Sequence, residues 1–199
     1  MKSEKLVCVV DDDASVRDAT ALLLGLKGFD CRTYASGHSF LSSPPNRPCC
    51  VVLDLNLGDM SGLEVQEQIK QRQLPFEIIF LTAFADVDVM RNAFINSAVD
   101  FLEKPVVMEQ LLPALDKAFH RLKEIEDHQS MEQRMETLTP REKEILQVIT
   151  QGLTHREIGE MLGISPRTVE VHKSRIMDKL DVKTLAELIK KSIRTPSSP

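Results

Sequence analysis

Five polar side chains stand at the ends of short apolar runs: Asp11 and Asp12 after the first, Asp54 after the third, Thr82 after the fourth and Lys104 after the fifth. Carboxylates brought together repel one another unless a divalent cation lies between them. Hard oxygen donors of this kind suit Mg²⁺, which favours octahedral sites and retains water. A phosphoryl group can move onto a carboxylate only if the charge on its oxygens is neutralised. Asp12, Asp54 and a backbone carbonyl would form a half-cage for the cation. Lys104 would pair with one phosphoryl oxygen and Thr82 would hydrogen-bond another. Each residue alone is an ordinary loop or cap residue, and Asp13 reads that way, as the N-cap of a helix starting at Ala14. Their joint placement at four strand ends is what points to chemistry.

The elements that must position them are legible in the periodicity. Unalternating, largely β-branched runs at Lys5–Val10, Phe29–Tyr34, Cys49–Asp54, Phe76–Thr82 and Val99–Glu103 predict strands buried on both faces. Helical patterns fall between them, near Ala14–Lys27, Ser36–Leu41, Leu63–Lys70, Asp86–Ser97 and from Met108 onward. Five repeats of strand then helix imply a doubly wound, five-stranded parallel α/β sheet. In such a sheet ligands bind beyond the carboxyl ends of the strands, where the five polar residues converge.

The chain has 199 residues, enough for two small domains, with 42% hydrophobic and 28% charged content as in globular proteins. The short apolar run after Met1–Lys5 does not read as a signal peptide, and no run approaches membrane-spanning length, so a cytoplasmic location without membrane contact is expected. Cys8, Cys31, Cys49 and Cys50 have no zinc-site spacing and read as small buried hydrophobes of a reducing compartment. Net charge is −5 but unevenly spread. Residues 138–199 carry 11 basic and 8 acidic groups, a net +3, and residues 1–137 carry 14 and 22, a net −8. A mildly basic second half is a reason to test it for nucleic-acid binding.

Leu111, Leu115, Phe119, Leu122 and Ile125 form a narrow apolar stripe on the helix from Met108. From Lys123 to Glu136 apolar residues thin out, predicting a linker that is part helix and part solvated chain. Leu138-Thr139-Pro140-Arg141-Glu142 opens a second, all-α domain with a capping box and proline at the first helical position. Four helices follow, about 140–151, 155–162, 166–180 and 183–192. The segment from Thr154 through Gly163-Ile164-Ser165 into Pro166-Arg167 reads as helix-turn-helix. Val169, Ile176 and Leu180 share the face that should pack inward. Arg167, Glu170, Val171 and Ser174 are the base-reading candidates, whereas Lys173, Arg175 and Lys179 suit phosphates. Glu170 and Asp178 on that face favour the rival reading, a helical hairpin for protein contact.

Val9-Val10-Asp11-Asp12-Asp13, Leu53-Asp54-Leu55-Asn56, Met60-Ser61-Gly62-Leu63, Leu81-Thr82-Ala83 and Phe101-Leu102-Glu103-Lys104-Pro105 together resemble the receiver domain of bacterial two-component response regulators, a flavodoxin- or CheY-like fold. The resemblance implies that a sensor histidine kinase phosphorylates Asp54. It implies that Asp12, Asp54 and the Asn56 carbonyl bind Mg²⁺ with Asp11 assisting, that Thr82 and Phe101 are switch residues, and that the Lys104–Pro105 bond is cis. Leu138–Glu142, Gly152, Ile158-Gly159, Leu162–Ser165, Thr168–His172 and Lys179-Leu180 resemble the four-helix LuxR-type domain of NarL/FixJ regulators, Glu170 fitting the FixJ-like branch. From this follow DNA-binding roles for Arg167, Thr168, Glu170, Val171, Lys173, Ser174, Arg175 and Lys179, with double-stranded promoter DNA and RNA polymerase as partners. A homodimer is expected on phosphorylation, with Leu185 and Leu188 in a dimerisation element or, equally, in the domain core. The implied domains are a receiver over 1–122, a helical linker over 123–137, the DNA-binding domain over 138–193 and a disordered tail over 194–199. Two departures stand out. The loop after Asp54 has Leu57-Gly58 where the family commonly has Met-Pro, which is expected to loosen it, and Ser97 stands where a glycine is common. A phosphatase using Asp54 as nucleophile would commonly need a second Asp two residues on, and Asn56 occupies that position. At most slow autodephosphorylation is expected. A receiver regulated without phosphate, its second domain serving protein contact, is the remaining alternative.

Overall fold

The computed structural model describes residues 5–83 and 98–193, with side chains of the last helix described as far as Ile189. The helix expected over Asp86–Ser97, with Ser97 itself, and the tail 194–199 lie outside the described residues. The chain divides into two compact units after Ile125.

In the first unit β1 (Leu6–Val10), β2 (Asp30–Tyr34), β3 (Cys49–Asp54), β4 (Phe76–Thr82) and β5 (Asp100–Glu103) form one parallel sheet in the order β2-β1-β3-β4-β5. β1 and β3 are buried along their whole length because helices cover both faces. One face packs Cys8, Val10, Val51, Leu53 and Phe80 against Phe40, Val65 and Ile69 of α2 (Gly37–Ser42) and α3 (Gly62–Gln71). The other packs Val7, Val9, Val52, Ile79 and Leu81 against Leu24 of α1 (Ala14–Leu26) and Leu111, Leu115 and Ala118 of α4 (Met108–Glu136). Fully burying each such aliphatic side chain contributes about 1.5–3 kcal/mol. Asp13 caps α1, accepting from the Ser15 amide at 2.8 Å. The Lys104–Pro105 bond is cis. All four cysteines are free; burial pushes the Cys31 thiol up to about 11 and the Cys50 thiol well above its ordinary range, while the neighbouring Cys8 thiol, together with burial, raises that of Cys49.

α4 is one continuous helix of 29 residues, which corrects the expectation of solvated chain after Lys123. Met131 and Met135 explain it: they pack against Leu138 and Ile145 in the second unit's core. Two methionines four residues apart make a weak periodic signal in a highly charged stretch, yet their flexible side chains fill that core well.

The second unit holds α5 (Pro140–Ile149), α6 (His155–Leu162), α7 (Pro166–Leu180) and α8 (Leu185–Ile193). Thr139, Thr154 and Ser165 cap the first three. α8 starts two residues later than expected, because the Thr184 hydroxyl accepts from the Glu187 amide while the Glu187 carboxylate accepts from the Lys183 amide. Leu188 is buried in the domain core, one of the two places the sequence allowed, and Leu185 is exposed. No described helix is long and apolar enough to cross a membrane.

Candidate functional site

β1 and β3 are neighbours in the sheet, so their carboxyl ends carry Asp11 and Asp54 to the same edge. Asp11 is fully buried: its amide donates to the Tyr34 carbonyl, its Oδ1 accepts from the Asp13 amide at 2.9 Å, and its carbonyl accepts from Arg17 Nη1 at 2.8 Å. Asp54 is 5% exposed. Its Oδ1 accepts from the Asn56 amide at 3.3 Å and its Oδ2 from Lys104 Nζ at 2.7 Å. β5 pairs with β4 up to Thr82, and the Lys104 amide donates to the Thr82 carbonyl at 2.8 Å, which sends the lysine side chain back across the strand ends. There Nζ also lies 2.8 Å from Asp11 Oδ2, an ion pair not aligned as a hydrogen bond, so that buried oxygen keeps accepting capacity.

Carboxylate oxygens of Asp11, Asp12 and Asp54 lie within 4.8 Å of one another. Three acids around one ammonium leave an excess of negative charge. Burial pushes the Asp11 carboxyl above its usual range against the pull of Lys104. The two carboxylates raise the Lys104 ammonium despite its burial. The donor set, all oxygen and including Asp11 Oδ2 with no aligned hydrogen bond, fits a hard divalent cation such as Mg²⁺. Thr82 is buried beside this edge, and Phe101 stacks on Phe80 with ring centroids 5.0 Å apart. The structure therefore brings Asp11, Asp12, Asp54, Thr82 and Lys104 to one edge, with Asn56 in the loop that follows.

Three residues beyond those candidates shape the edge. A Cβ on Gly62 would lie 2.4 Å from the Asp54 carbonyl oxygen, so only glycine lets α3 start this close to β3. Arg17 anchors the end of β1. Asp59, in the loop after Asp54, accepts from the amides of Gly37 and His38. Gly62 was visible only as part of a motif; nothing in the sequence marks Arg17 or Asp59.

In the second unit α6 and α7 join through Gly163, in the left-handed conformation at φ 66°, and Ile164-Ser165. Gly159 lets the turn close on α6, since a Cβ there would lie 2.6 Å from the Ile164 carbonyl oxygen. Arg141 Nη2 donates to the Leu162 carbonyl at 2.6 Å. Val169, Ile176 and Leu180 are buried as the spacing predicts. Arg167, Glu170, Val171, Ser174 and Arg175 are exposed, Lys173 and Thr168 half-buried, and the Thr168 hydroxyl lies 2.8 Å from that of the cap, Ser165. Val171, 45% exposed, is an apolar side chain turned to solvent on an otherwise polar face.

Lys179 departs from its expected place. Its Nζ donates to Glu142 Oε2 at 2.6 Å and to the Thr137 carbonyl at 3.1 Å. A buried carboxylate already neutralises this ammonium, so Lys179 joins α7 to the start of α5 rather than facing a phosphate. Lys179 and the Thr139 amide hold the Glu142 carboxyl down at about 2.

Comparison with known proteins covers both units. A family model described as the response regulator receiver domain matches residues 7–116, and one described as bacterial regulatory proteins, luxR family, matches residues 136–192. Transcriptional regulatory protein TdiR of Thauera aromatica is 39% identical over 190 residues, covering 92% of this chain and 83% of the relative. Transcriptional regulatory protein FixJ of Rhizobium meliloti (strain 1021) is 33% identical over 192 residues, covering 94% of each. The solved structure of response regulator StyR is 35% identical with a TM-score of 0.72, covering 97% of this chain and all of that one, 100%.

Proposed function

This chain belongs to the NarL/FixJ family of two-component response regulators and controls transcription, and from that premise we propose that Asp54 is its phosphoryl acceptor and α7 its DNA-reading helix. The observation that carries the acceptor assignment is the bridge at the sheet edge: Lys104 Nζ at 2.7 Å from Asp54 and 2.8 Å from Asp11. That ammonium is poised to pair with a phosphoryl oxygen in place of a carboxylate.

A sensor histidine kinase is the donor. An Asp54 oxygen attacks phosphorus, the bond to the histidine nitrogen breaks, and an acyl phosphate remains on Asp54. Asp11, Asp12, Asp54 and the Asn56 carbonyl would hold Mg²⁺, which when bound neutralises charge on the phosphoryl oxygens. The Thr82 hydroxyl hydrogen-bonds one of those oxygens, and Thr82 and Phe101 then shift. The surface of β5 and α4 then pairs with a second copy. The paired second units bind two half-sites of promoter DNA in the cytoplasm and meet RNA polymerase there. Arg167, Glu170, Val171 and Ser174 read base edges, with Thr168 beside them, while Lys173 and Arg175 contact phosphates. With Asn56 in place of an acid, the acyl phosphate is lost only by slow autodephosphorylation. Labelling with radioactive acetyl phosphate tests the acceptor: Asp54→Asn is expected to abolish incorporation, and undiminished label would overturn the assignment.

A further inference from the structure

The loop after Asp54 needs a source of rigidity. It carries Asn56, and Gly58 lies beside the metal-binding edge, since a Cβ there would be 3.4 Å from Asp12 Oδ2. That distance is ordinary contact, and Gly58 is not among the positive-φ glycines, so no steric rule demands glycine. Left to itself this loop has one of its least constrained residues next to the site.

Two anchors flank that residue. Leu57 is buried in the core beside Val65 and Phe80. On the other side Asp59 reaches across to α2, its Oδ1 accepting from the Gly37 amide at 3.1 Å and its Oδ2 from the His38 amide at 2.8 Å. These are the first two amides of α2, which no residue of the helix itself can satisfy; the third, on Ser39, is taken by the Ser36 hydroxyl at 3.0 Å. Contact is close enough that a Cβ on Gly37 would lie 2.7 Å from Met60 and Val65 side-chain atoms, so α2 begins flush against the loop. The amides also hold the exposed Asp59 carboxyl below its usual range, outweighing its slight desolvation.

We propose that Asp59 is a positioning residue for the phosphoryl-acceptor site: by clamping the loop to the first turn of α2 it fixes the Asn56 carbonyl and Gly58 relative to Asp12 and Asp54, doing through tertiary contact what a proline at position 58 would do through the backbone. This rests on the metal reading of the preceding section. It requires Asp59 to affect cation binding although it touches no ligand, and it makes a proline at position 58 a substitute for the clamp.

Calorimetric titration of Mg²⁺ into the unphosphorylated full chain tests it, alongside thermal melting without Mg²⁺. Losing two charge-assisted hydrogen bonds is expected to weaken Mg²⁺ binding in Asp59→Ala by about tenfold, the equivalent of ~1.4 kcal/mol. Asp59→Asn, which keeps one carbonyl acceptor, should fall between and serves if the alanine variant does not fold. Adding Gly58→Pro to Asp59→Ala should bring the affinity back to within about threefold of wild type, while the lost α2 cap keeps the melting temperature low. Wild-type affinity in Asp59→Ala, or a weakened affinity that the proline does not restore, would overturn the clamp and leave Asp59 a simple helix cap. A wild-type chain that takes up no Mg²⁺ would overturn the metal reading and the clamp together.

Discussion

At the scale of single residues the acceptor edge is built by exclusion as much as by charge. Gly62 carries no chemistry, yet its missing Cβ sets how closely α3 approaches Asp54. Because the obstructing atom is a backbone oxygen 2.4 Å away, it cannot swing aside. Gly62→Ala is therefore expected to lose about 1–3 kcal/mol of stability and, in chains that remain folded, to slow acetyl-phosphate labelling of Asp54; denaturant titration and labelling rate check both. Glu142 gives a pH dependence. Its carboxyl sits at about 2 when folded against an ordinary 4.5 when unfolded. A depressed folded value means that its contribution is fully present above about pH 4.5 and is lost as pH falls toward 2. The stability difference between the wild type and Glu142→Gln should thus be constant near neutrality and shrink between those values. A difference independent of pH down to 2 would contradict the Lys179 pairing.

At the scale of elements, that same pairing distinguishes the cations of α7. Lys173→Met and Arg175→Met should each weaken DNA binding and lower the slope of log affinity against log salt by about 1. Lys179→Met should instead destabilise the second unit and leave the slope of the remaining folded protein unchanged, as salt-dependent gel shifts would show. Lys179 also marks where sequence reading stops. A lysine on a recognition helix looks like a phosphate ligand until its partner is known, and Glu142 is 37 residues away. Local rules did suffice where the deciding contacts were local. Asp13 and Thr139 were readable as caps, the inward face of α7 as Val169, Ile176 and Leu180, and all five strands from their apolar runs. The convergence of Asp11, Asp12, Asp54, Thr82 and Lys104 followed from the topology of a doubly wound sheet. Arg17, Asp59 and the two core methionines of α4 were not readable. Each acts through a partner that periodicity does not specify, and an aspartate in a polar loop or a methionine in a charged helix looks the same with or without that partner.

At the scale of the whole molecule the division of charge matches a division of labour. The acidic first unit carries Asp11, Asp12 and Asp54 at one sheet edge, and residues 138–199, with a net +3, carry α7. Buried cores in each unit keep the two functions on separate scaffolds, so Ile158→Ala, which empties a fully buried position, should cost about 2–5 kcal/mol in the second unit while leaving Asp54 labelling intact. Chemistry at Asp54 is expected to govern DNA binding by α7. Gel shifts with DNA selected from a genomic pool, run with Mg²⁺ in the presence and absence of beryllofluoride as phosphate mimic, test this most directly when wild type and Asp54→Asn are compared side by side. Beryllofluoride is expected to tighten binding of the wild type and leave Asp54→Asn unchanged; equal responses from the two proteins, or none from the wild type, would contradict control by Asp54.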